Sequence, residues 1–569
     1  MSNVRAARPT AAVLVAGSLG LVACSQGLFD NDNSTYRVPT EKLTRIVTTD
    51  VVAESKKQPI TPEEATKAAL AKGDPTPVWP SQVELGIADV RASTLKNNLD
   101  LRTQLVDPAI ARREVDVERA KFEATLVANL SHDASNLAGD PAFGGVTSAT
   151  VASLGVDLPL QTGGNIGVAG DLARNDTDTN LNFDGAGEWS SGVSFSISQP
   201  LLRNAGVNVN TASIRIAEQS GQVVSAQTKL ETIRILAEAD KAYWDLYAAY
   251  RELEVRKQQY ELAVAQLERA RRRVDQGDAA EIEVVRAESG VGGTLQGIIL
   301  SAGAVRERGR ALKRLMNRDD LPVESETLIV PKDDPNPLGL ALDSRQLADR
   351  AVENRMEMLE LELQLATSAI QIAVARNQAL PNFVLDYRYH PIGSGSSFVR
   401  SMGNIGDLES DTWTLGLRGE IPIGNEAAKN RLAAAVLERV QRLASKDAQR
   451  QSIRVEVYDS VERLNTAWQS ILAARLETVL AARTYEGEKR QFDVGVRTSQ
   501  DVLDASTRLA DARSREVTAL AQWQIALVDI AFATGTLAGM AGAEWKPIDV
   551  DQLEKDSLGT MEQQALEQS

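Results

Sequence analysis

Two runs without glycine or proline constrain the fold of this chain most. They extend from Gln222 to Gln276 and from Asn425 to Glu486, and they contain 55 and 62 residues. Glycine and proline are the residues that most often end helices, and an average globular helix has only about 11–12 residues. At about 1.5 Å per residue, such runs would form helices roughly 80–95 Å long. The sequence therefore predicts two unusually long helices.

Each long run has a partner that follows a glycine. In the first run, positions 236–274 carry a stripe with spacings of three and four, and ten of its twelve residues suit a coiled-coil seam. The segments that follow are Asp278–Met316, which six glycines interrupt, and Val496–Thr534, which contains none. We expect two helical hairpins that turn near Gly277 and Gly495.

The body of the chain is built twice. A helical pattern that ends at Asn97-Asn98 recurs 257 residues later, at Asn354-Arg355. Gly277 and Gly495 are each followed six and seven residues later by an acid and a valine, at an offset of only 218. The first half therefore carries 39 extra residues, which we place in the glycine-rich stretch 139–192. This self-similarity predicts an internal duplication.

Four segments alternate between apolar and polar residues, as strands do: Val193–Ser198, Leu385–His390, Trp413–Arg418 and, more weakly, Leu126–His132. This period fits a half-buried soluble sheet or a membrane barrel with lipid outside and water inside, and it does not distinguish them. Four strands cannot close a barrel, because the smallest barrels need about eight. If these strands cross a membrane, the protein must oligomerise, and three copies would supply twelve strands.

Within the extra residues, Gly163-Gly164-Asn165 lies between two alternating segments, 151–158 and 166–172. This pattern predicts a hairpin turn. His132 and His390, the only histidines of the chain, both fall on predicted strands. Two ligands make a poor metal site, so we expect neither a metal nor another cofactor there.

Composition lowers the odds of an enzyme and of a nucleic-acid role. The chain has 569 residues, of which 43% are hydrophobic, and a net charge of −16. It therefore lacks the positive field that supports sequence-independent nucleic-acid binding. One cysteine and two histidines leave little material for thiolate metal sites or for histidine acid–base catalysis. No phosphate loop, hydrolase elbow or HExxH motif is present.

The N-terminus predicts export. Arg5 and Arg8 precede the apolar run 11–22, which has the length of a signal-peptide core and is too short to span a membrane. The run ends at Leu21-Val22-Ala23-Cys24, which looks like a bacterial lipobox. That resemblance implies cleavage before Cys24 and attachment of a lipid such as palmitate to its thiol. The proline-rich stretch that follows is typical of an extended tether.

The sequence at the second turn resembles a known family. The stretch from Phe492 to Ala505 looks like the second hairpin turn of TolC-type outer-membrane efflux proteins, and Gln199-Pro200-Leu201-Leu202 looks like their strand-to-helix corner. The duplication and the order of helices and strands agree over residues 83–540. The lipobox fits the lipid-anchored branch of the family.

The resemblance implies a mainly α fold with β: long antiparallel helical hairpins form an α-barrel tunnel, and four strands per copy join a twelve-stranded trimeric transmembrane β-barrel. It implies a homotrimer, docked by a periplasmic adaptor protein and an inner-membrane transporter. The expected organisation is a signal peptide (1–23), an acylated tether (24–82), a first repeat (83–320), a linker (321–340), a second repeat (341–540) and an acidic tail (541–569).

The resemblance also implies roles for matching positions. Asp501 and Asp504 match acids that ring the periplasmic constriction, where three copies would concentrate negative potential. Arg497 matches a basic residue that holds neighbouring hairpins closed. Glu283 matches the acid with which that basic residue forms a salt bridge between protomers. Phe492 replaces a tyrosine of that network, so any latch should have fewer hydrogen bonds. The alternative is that Asp501 caps a helix and Arg497 is an ordinary exposed charge.

The function expected from these features is an export duct in the outer membrane of a Gram-negative-type bacterium, serving a tripartite efflux or type I secretion system. It would be a passive, non-enzymatic channel that is gated at its periplasmic end. Two alternatives are a periplasmic coiled-coil adaptor and a structural envelope lipoprotein. An adaptor should carry one helical hairpin between β-rich halves, whereas this chain predicts two modules with a hairpin and strands in each.

Overall fold

A computed structural model describes residues 79–137, 145–179, 188–406 and 410–540, together with Thr61 and Glu64. The chain divides into a unit 1–75 and a unit 76–569. In the first unit, Thr61 and Glu64 exchange hydrogen bonds of 3.2 and 3.3 Å, a pattern typical of a helix start. The predicted signal peptide, Cys24, the tether before Trp79 apart from these two residues, and the acidic tail lie outside the described residues.

All the helices and strands given below belong to the second unit. The helices are α1 (Ile87–Asn97), α2 (Leu99–Gln104), α3 (Asp107–Ala120), α4 (Val207–Asn210), α5 (Ala212–Asp275), α6 (Ile282–Met316), α7 (Ser344–Asn354), α8 (Met356–Gln378), α9 (Phe398–Gly406), α10 (Glu426–Asp493), α11 (Ser499–Ala533) and α12 (Leu537–Met540). The strands are β1 (Gln82–Leu85), β2 (Thr125–Leu137), β3 (Gly145–Pro159), β4 (Asn165–Thr179), β5 (Glu188–Pro200), β6 (Leu328–Pro331), β7 (Asn382–Gly395) and β8 (Asp411–Glu420).

The two long helices are even longer than the glycine-free runs that predicted them. Helix α5 has 64 residues and α10 has 68, because both continue through a single glycine, Gly221 in α5 and Gly487 in α10. Each is followed by a helix of 35 residues, α6 or α11, that packs back along it. The glycines of α6 do not interrupt it. Both predicted hairpins are therefore present.

Both hairpins turn in the same way. Gly277 and Gly495 have φ angles of +79° and +80°, a region that L side chains rarely adopt. In the first turn, the Asp278 amide donates to the Arg273 carbonyl at 2.8 Å; in the second, the Val496 amide donates to the Gln491 carbonyl at 2.9 Å. These are the glycine-ended helix caps that leave few carbonyls unpaired. The shared geometry agrees with an internal duplication.

A second correspondence lies at the start of each half. Asn98 separates α1 from α2 with extended backbone angles of φ −59° and ψ 128°, and its side chain accepts from the Leu101 amide at 2.8 Å. Arg355 separates α7 from α8 with φ −72° and ψ 135°. The two positions are 257 residues apart, the offset that the sequence repeat predicts.

A hydrophobic core joins the first hairpin to the start of the repeat. Tyr243, Leu246, Ile298 and Leu312 are fully buried in it, so this part of the stripe predicted over positions 236–274 is packed in the core. Strands β1 and β6 pair in parallel beside this core. The segment predicted as a linker between the repeats therefore contains a strand.

The large sheet has six strands in the order β2-β3-β4-β5-β7-β8, with every neighbouring pair antiparallel. It differs from the predicted four-stranded sheet by β3 and β4. These two strands are the hairpin predicted inside the extra residues, and they pair with β2 and β5 instead of leaving the sheet. Among the described residues, β2 and β8 are its unpaired edges.

The two faces of this sheet differ in chemistry. One row of directly paired residues crosses all six strands on one face: Leu126, Val156, Val168, Phe195, Tyr389 and Trp413. A row on the opposite face crosses the same strands: Thr125, Asp157, Gly167, Ser196, Arg388 and Thr414. We call these the apolar row and the polar row. Because successive side chains of a strand point to opposite faces, the alternation separates them cleanly.

One helix of the described residues, α8, is long and apolar enough to cross a membrane by its length and composition. It packs against α5 and α10, and only 11% of its most apolar window is buried within the chain. These contacts place α8 in the helical layer, with much of its apolar surface uncovered.

Candidate functional site at the hairpin ends

The ends of the two hairpins lie against each other. The Arg273 guanidinium, at the end of α5, donates to the Phe492 carbonyl at 3.0 Å and lies 5.0 Å from the centre of the Phe492 ring. Phe492 is only 3% exposed. A cation over an aromatic face and a charged hydrogen bond stabilise the contact together. Arg273 therefore links the first hairpin to the second.

A second link runs from the start of α6 to the start of α11. One oxygen of Glu283 accepts from the Ser499 amide at 2.9 Å, and the other accepts from Arg286 at 2.7 Å. The first amides of a helix lack partners within that helix, and a carboxylate there is favoured by the helix dipole. Glu283 thus caps a helix of the other hairpin.

Asp501 caps the helix on which it lies. Its carboxylate accepts from the Thr498 amide and hydroxyl, both at 2.9 Å, while the Thr498 hydroxyl accepts from the Asp501 amide at 3.3 Å. The hydrogen bond from the Thr498 amide, that from its hydroxyl and the charge of Arg497 hold the pKa of Asp501 below its ordinary value. The capping role given above as the alternative is therefore present, and it keeps Asp501 ionised at neutral pH.

Asp504 lies one turn further along α11 and is exposed. Its carboxylate accepts a hydrogen bond from the side-chain amide of Gln500 at 2.8 Å. Residues three apart on a helix lie on the same face, so Asp501 and Asp504 present two carboxylates on one side of α11. The arrangement can concentrate negative potential beside the second turn.

Arg497 pairs within its own hairpin. Its guanidinium lies 3.1 Å from Glu488 and donates to the Gln491 side chain at 3.1 Å. Within the chain, Glu283 contacts Ser499 and Arg286 rather than Arg497. The predicted Arg497–Glu283 latch joins two protomers, so it stays a prediction.

Polar pairs also lie along the seam between α5 and α11. They start at Gln266 and continue away from the turns. They join Gln266 to Ser499, Gln259 to Thr507, Gln258 to Arg513, Arg256 to Asp511 and Lys241 to Asp529, at 2.5–3.4 Å. Helices α10 and α11 share an apolar core that includes Leu464, Ile471 and Trp523, and ion pairs such as Arg515–Glu477 at 2.5 Å also join them. The seam between the hairpins carries its polar pairs from Ser499 to Asp529, along almost the whole of α11.

Sequence reasoning missed Arg273 as a site residue. The run Arg271-Arg272-Arg273 ends α5, where cations offset the partial negative charge of a helix C-terminus and are ordinarily solvated. Arg271 does pair with an exposed acid, Glu288, at 2.8 Å, whereas Arg273 reaches Phe492. No local signal in the sequence pairs Arg273 with Phe492, because the two residues are 219 positions apart.

The two histidines do not meet. His132 contacts Thr150 at 2.8 Å, and His390 contacts Asp171 at 3.0 Å. Strands β3, β4 and β5 separate the strands that carry them. In the described part of the chain, no group of three histidine, cysteine or acidic side chains is placed to hold a metal ion.

Comparison with known proteins finds relatives over most of the chain. Residues 347–536 match the family described as OEP, outer membrane efflux protein. The TolC outer membrane protein of Vibrio cholerae is 24% identical over 404 residues, which cover 70% of this chain and 86% of TolC. The chain is a homologue of TolC.

Solved structures agree with the fold of this TolC homologue. The CmeC outer membrane channel of Campylobacter jejuni superposes with a TM-score of 0.58 at 15% identity, covering 83% of this chain and 88% of CmeC. The open state of the MtrE channel of Neisseria gonorrhoeae superposes with a TM-score of 0.56 at 17% identity, covering 79% of this chain and 89% of MtrE. The predicted fold, long helical hairpins with strands, is confirmed.

Proposed function

We propose that this TolC homologue is the outer-membrane duct of a tripartite efflux or type I secretion system. The observation that carries the proposal is a two-faced sheet joined directly to two long helical hairpins. The apolar row suits lipid, the polar row suits water, and edges β2 and β8 are free to pair with further copies. A closed barrel satisfies every strand edge, which an open sheet in lipid cannot do.

Three copies close the duct in this proposal. Besides the sheet edges, the long helices keep apolar side chains exposed in the single chain. They include Leu437, Val440, Leu472 and Leu476 on α10, and Ile282, Val285, Ile299 and Leu300 on α6. Many exposed apolar side chains on helices of this length are unfavourable in water. Packing between protomers would cover it and close a tunnel of helices.

The gate lies at the hairpin ends. Three copies of Asp501 and Asp504 would form acidic rings in a narrow aqueous pore and favour cations. Arg497 and Glu283 would tie neighbouring protomers, while Arg273 and Phe492 tie the two hairpins of one protomer. Opening then requires the hairpins to separate along the polar part of the seam between α5 and α11.

The remaining assignments follow from the N-terminal sequence and from the family. Cleavage before Cys24 and lipid attachment to its thiol would anchor the periplasmic side of the trimer to the outer membrane. A periplasmic adaptor and an inner-membrane transporter would dock at the hairpin ends and supply the energy. An adaptor role for this chain itself is disfavoured, because it has two hairpins and a six-stranded sheet.

The first test is location and assembly of the full-length protein. We expect heat-modifiable trimers in outer-membrane fractions, with [3H]palmitate incorporated into the chain and lost in Cys24→Ala. A soluble monomer in the periplasm would contradict the duct. Trimers in the outer membrane that carry no label would contradict only the lipid anchor.

A further inference from the structure

The hairpin β3–β4 is built into the sheet rather than laid upon it. Strand β3 pairs with β2 from Gly145 to Asp157, and β4 pairs with β5 from Asn165 to Asn175. These ladders leave no direct pairing between β2 and β5. Each copy therefore contributes six strands to one continuous wall.

The hairpin also carries both faces of that wall. Leu154, Val156 and Leu158 of β3 lie on the face of the apolar row, and their side chains are 36–57% exposed. Asp157 on the same strand lies in the polar row. A hairpin that folded away as a flap or a plug would not need an exposed apolar face in register with its neighbours. The pattern is that of a lipid-facing strand.

The turn of the hairpin is fixed at the junction of sheet and helices. The Thr162 carbonyl accepts from the Gly206 amide at 3.0 Å and from the Gln199 side chain at 3.2 Å. Gly163 has a φ of +91°, and a side chain there would collide with the Asn204 carbonyl. The turn is thus held against the corner that leads into α5.

We propose that the assembled barrel has eighteen strands and forms a wide polar exit. This inference rests on the proposed function, because it needs three copies that pair β2 with β8. Barrel diameter grows roughly linearly with strand number, so eighteen strands give a diameter about 1.5 times that of twelve. Barrels of sixteen to eighteen strands enclose a water-filled channel.

The contacts below the barrel show how it widens. Helices α3 and α5 stay in contact through Arg119 and Glu218, which lie 2.8 Å apart. Strands β2 and β5, which follow α3 and precede α5, have two strands between them, so three strand spacings put them roughly 14 Å apart in the wall. The wall therefore flares from the helices to the sheet. Size selection falls to the hairpin ends, and the exit passes any solute that the gate has admitted.

Electron cryo-microscopy of the full-length trimer in lipid nanodiscs tests this directly by counting strands. Eighteen are expected. Twelve strands in an intact trimeric channel would overturn the wide exit and leave the proposed function standing. A protein that forms neither trimer nor barrel would overturn both.

A functional readout uses a variant that lacks residues 145–179, so that β2 leads to β5. The diameter of the largest polyethylene glycol that enters the barrel from the extracellular side should fall by about one third relative to the full chain. An unchanged diameter would contradict the proposal. If the variant does not assemble, the strand count of the unmodified protein decides.

Discussion

At the scale of single residues, some contacts at the hairpin ends join the two hairpins and others lie within one hairpin. Arg273 contacts Phe492 between the hairpins, Glu283 caps α11, and Arg497 pairs with Glu488 inside its own hairpin. Arg273 is thus the cation that crosses between the hairpins beside the second turn. Its loss should matter more than the loss of its neighbours in the arginine run.

Replacing Arg273 with alanine should open the gate more often. The variant loses a cation–π contact and a charged hydrogen bond, worth about 1–2 kcal/mol together, so the open fraction should rise roughly tenfold. The measurement is uptake of a large antibiotic that intact outer membranes exclude. Arg272→Ala is the matched control, because its side chain is 62% exposed and lies 3.9 Å from Glu268. Equal uptake by both variants would contradict the assignment of Arg273.

The carboxylates of α11 should control ion selectivity. Asp501→Asn keeps an oxygen that can cap the helix and removes the charge, and Asp504→Asn does the same for the exposed partner. We expect the double variant to lose most of its cation preference and its block by polyvalent cations, measured as reversal potentials in asymmetric salt. Selectivity equal to that of the unmodified channel would place the constriction elsewhere.

The same site has a defined pH dependence. Because the pKa of Asp501 is held below its ordinary value, the capping interaction is fully present above about pH 4 and is lost as pH falls through the lowered pKa. Hydrogen exchange of the first amides of α11 should therefore stay slow from neutral pH down to about pH 4, after correction for intrinsic rates. Loss of protection between pH 5 and 7 would contradict the lowered pKa.

At the scale of elements, the glycines of the hairpins divide into two kinds. Gly495 turns the second hairpin with a positive φ, so Gly495→Ala should destabilise it by about 1–2 kcal/mol. Gly303 lies inside α6 with open space where a Cβ would be, so Gly303→Ala should stabilise the helix by about 1 kcal/mol. Thermal unfolding followed by circular dichroism measures both, and shifts of the same sign would contradict the distinction.

A buried ion pair joins helix α1 to helix α5. Arg91 donates twice to Asp240, at 2.8 Å each, and the Asp240 side chain is fully buried. Arg91→Ala leaves that charge without a partner and should cost about 3–5 kcal/mol in denaturant unfolding. Arg314→Ala is the control, since Arg314 and Asp100 are both mostly exposed and 3.8 Å apart; it should change stability by less than 1 kcal/mol. Comparable losses would show that the buried pair is not the cause.

The elements also show what sequence could and could not predict. The glycine-free runs and Gly277 and Gly495 sufficed for the hairpins, because helix length and positive-φ turns are local properties. The hairpin turn around Gly163 was predicted too, but its membership of the sheet was not. Strand pairing is a long-range choice, and alternation alone does not say which strands are neighbours. Arg273 was missed for the same reason, because its partner lies 219 residues away.

At the scale of the whole molecule, the two repeats are built from the same parts. Each contributes strands to the two-faced sheet and a hairpin to the helical layer, and the first repeat adds β3 and β4. Apolar side chains are exposed on α6, α8 and α10, and the sheet has two unpaired edges among the described residues. Further copies of the chain would cover these side chains and pair with these edges. A trimer is the assembly that this account requires.

Single-channel recording of the purified full-length trimer in planar bilayers tests that account most directly. We expect a cation-selective channel that is mostly closed in the unmodified protein and opens more often in Arg273→Ala. A homogeneous preparation that inserts into the bilayer and conducts no ions, with or without that substitution, would contradict the claim that the protein is a gated duct.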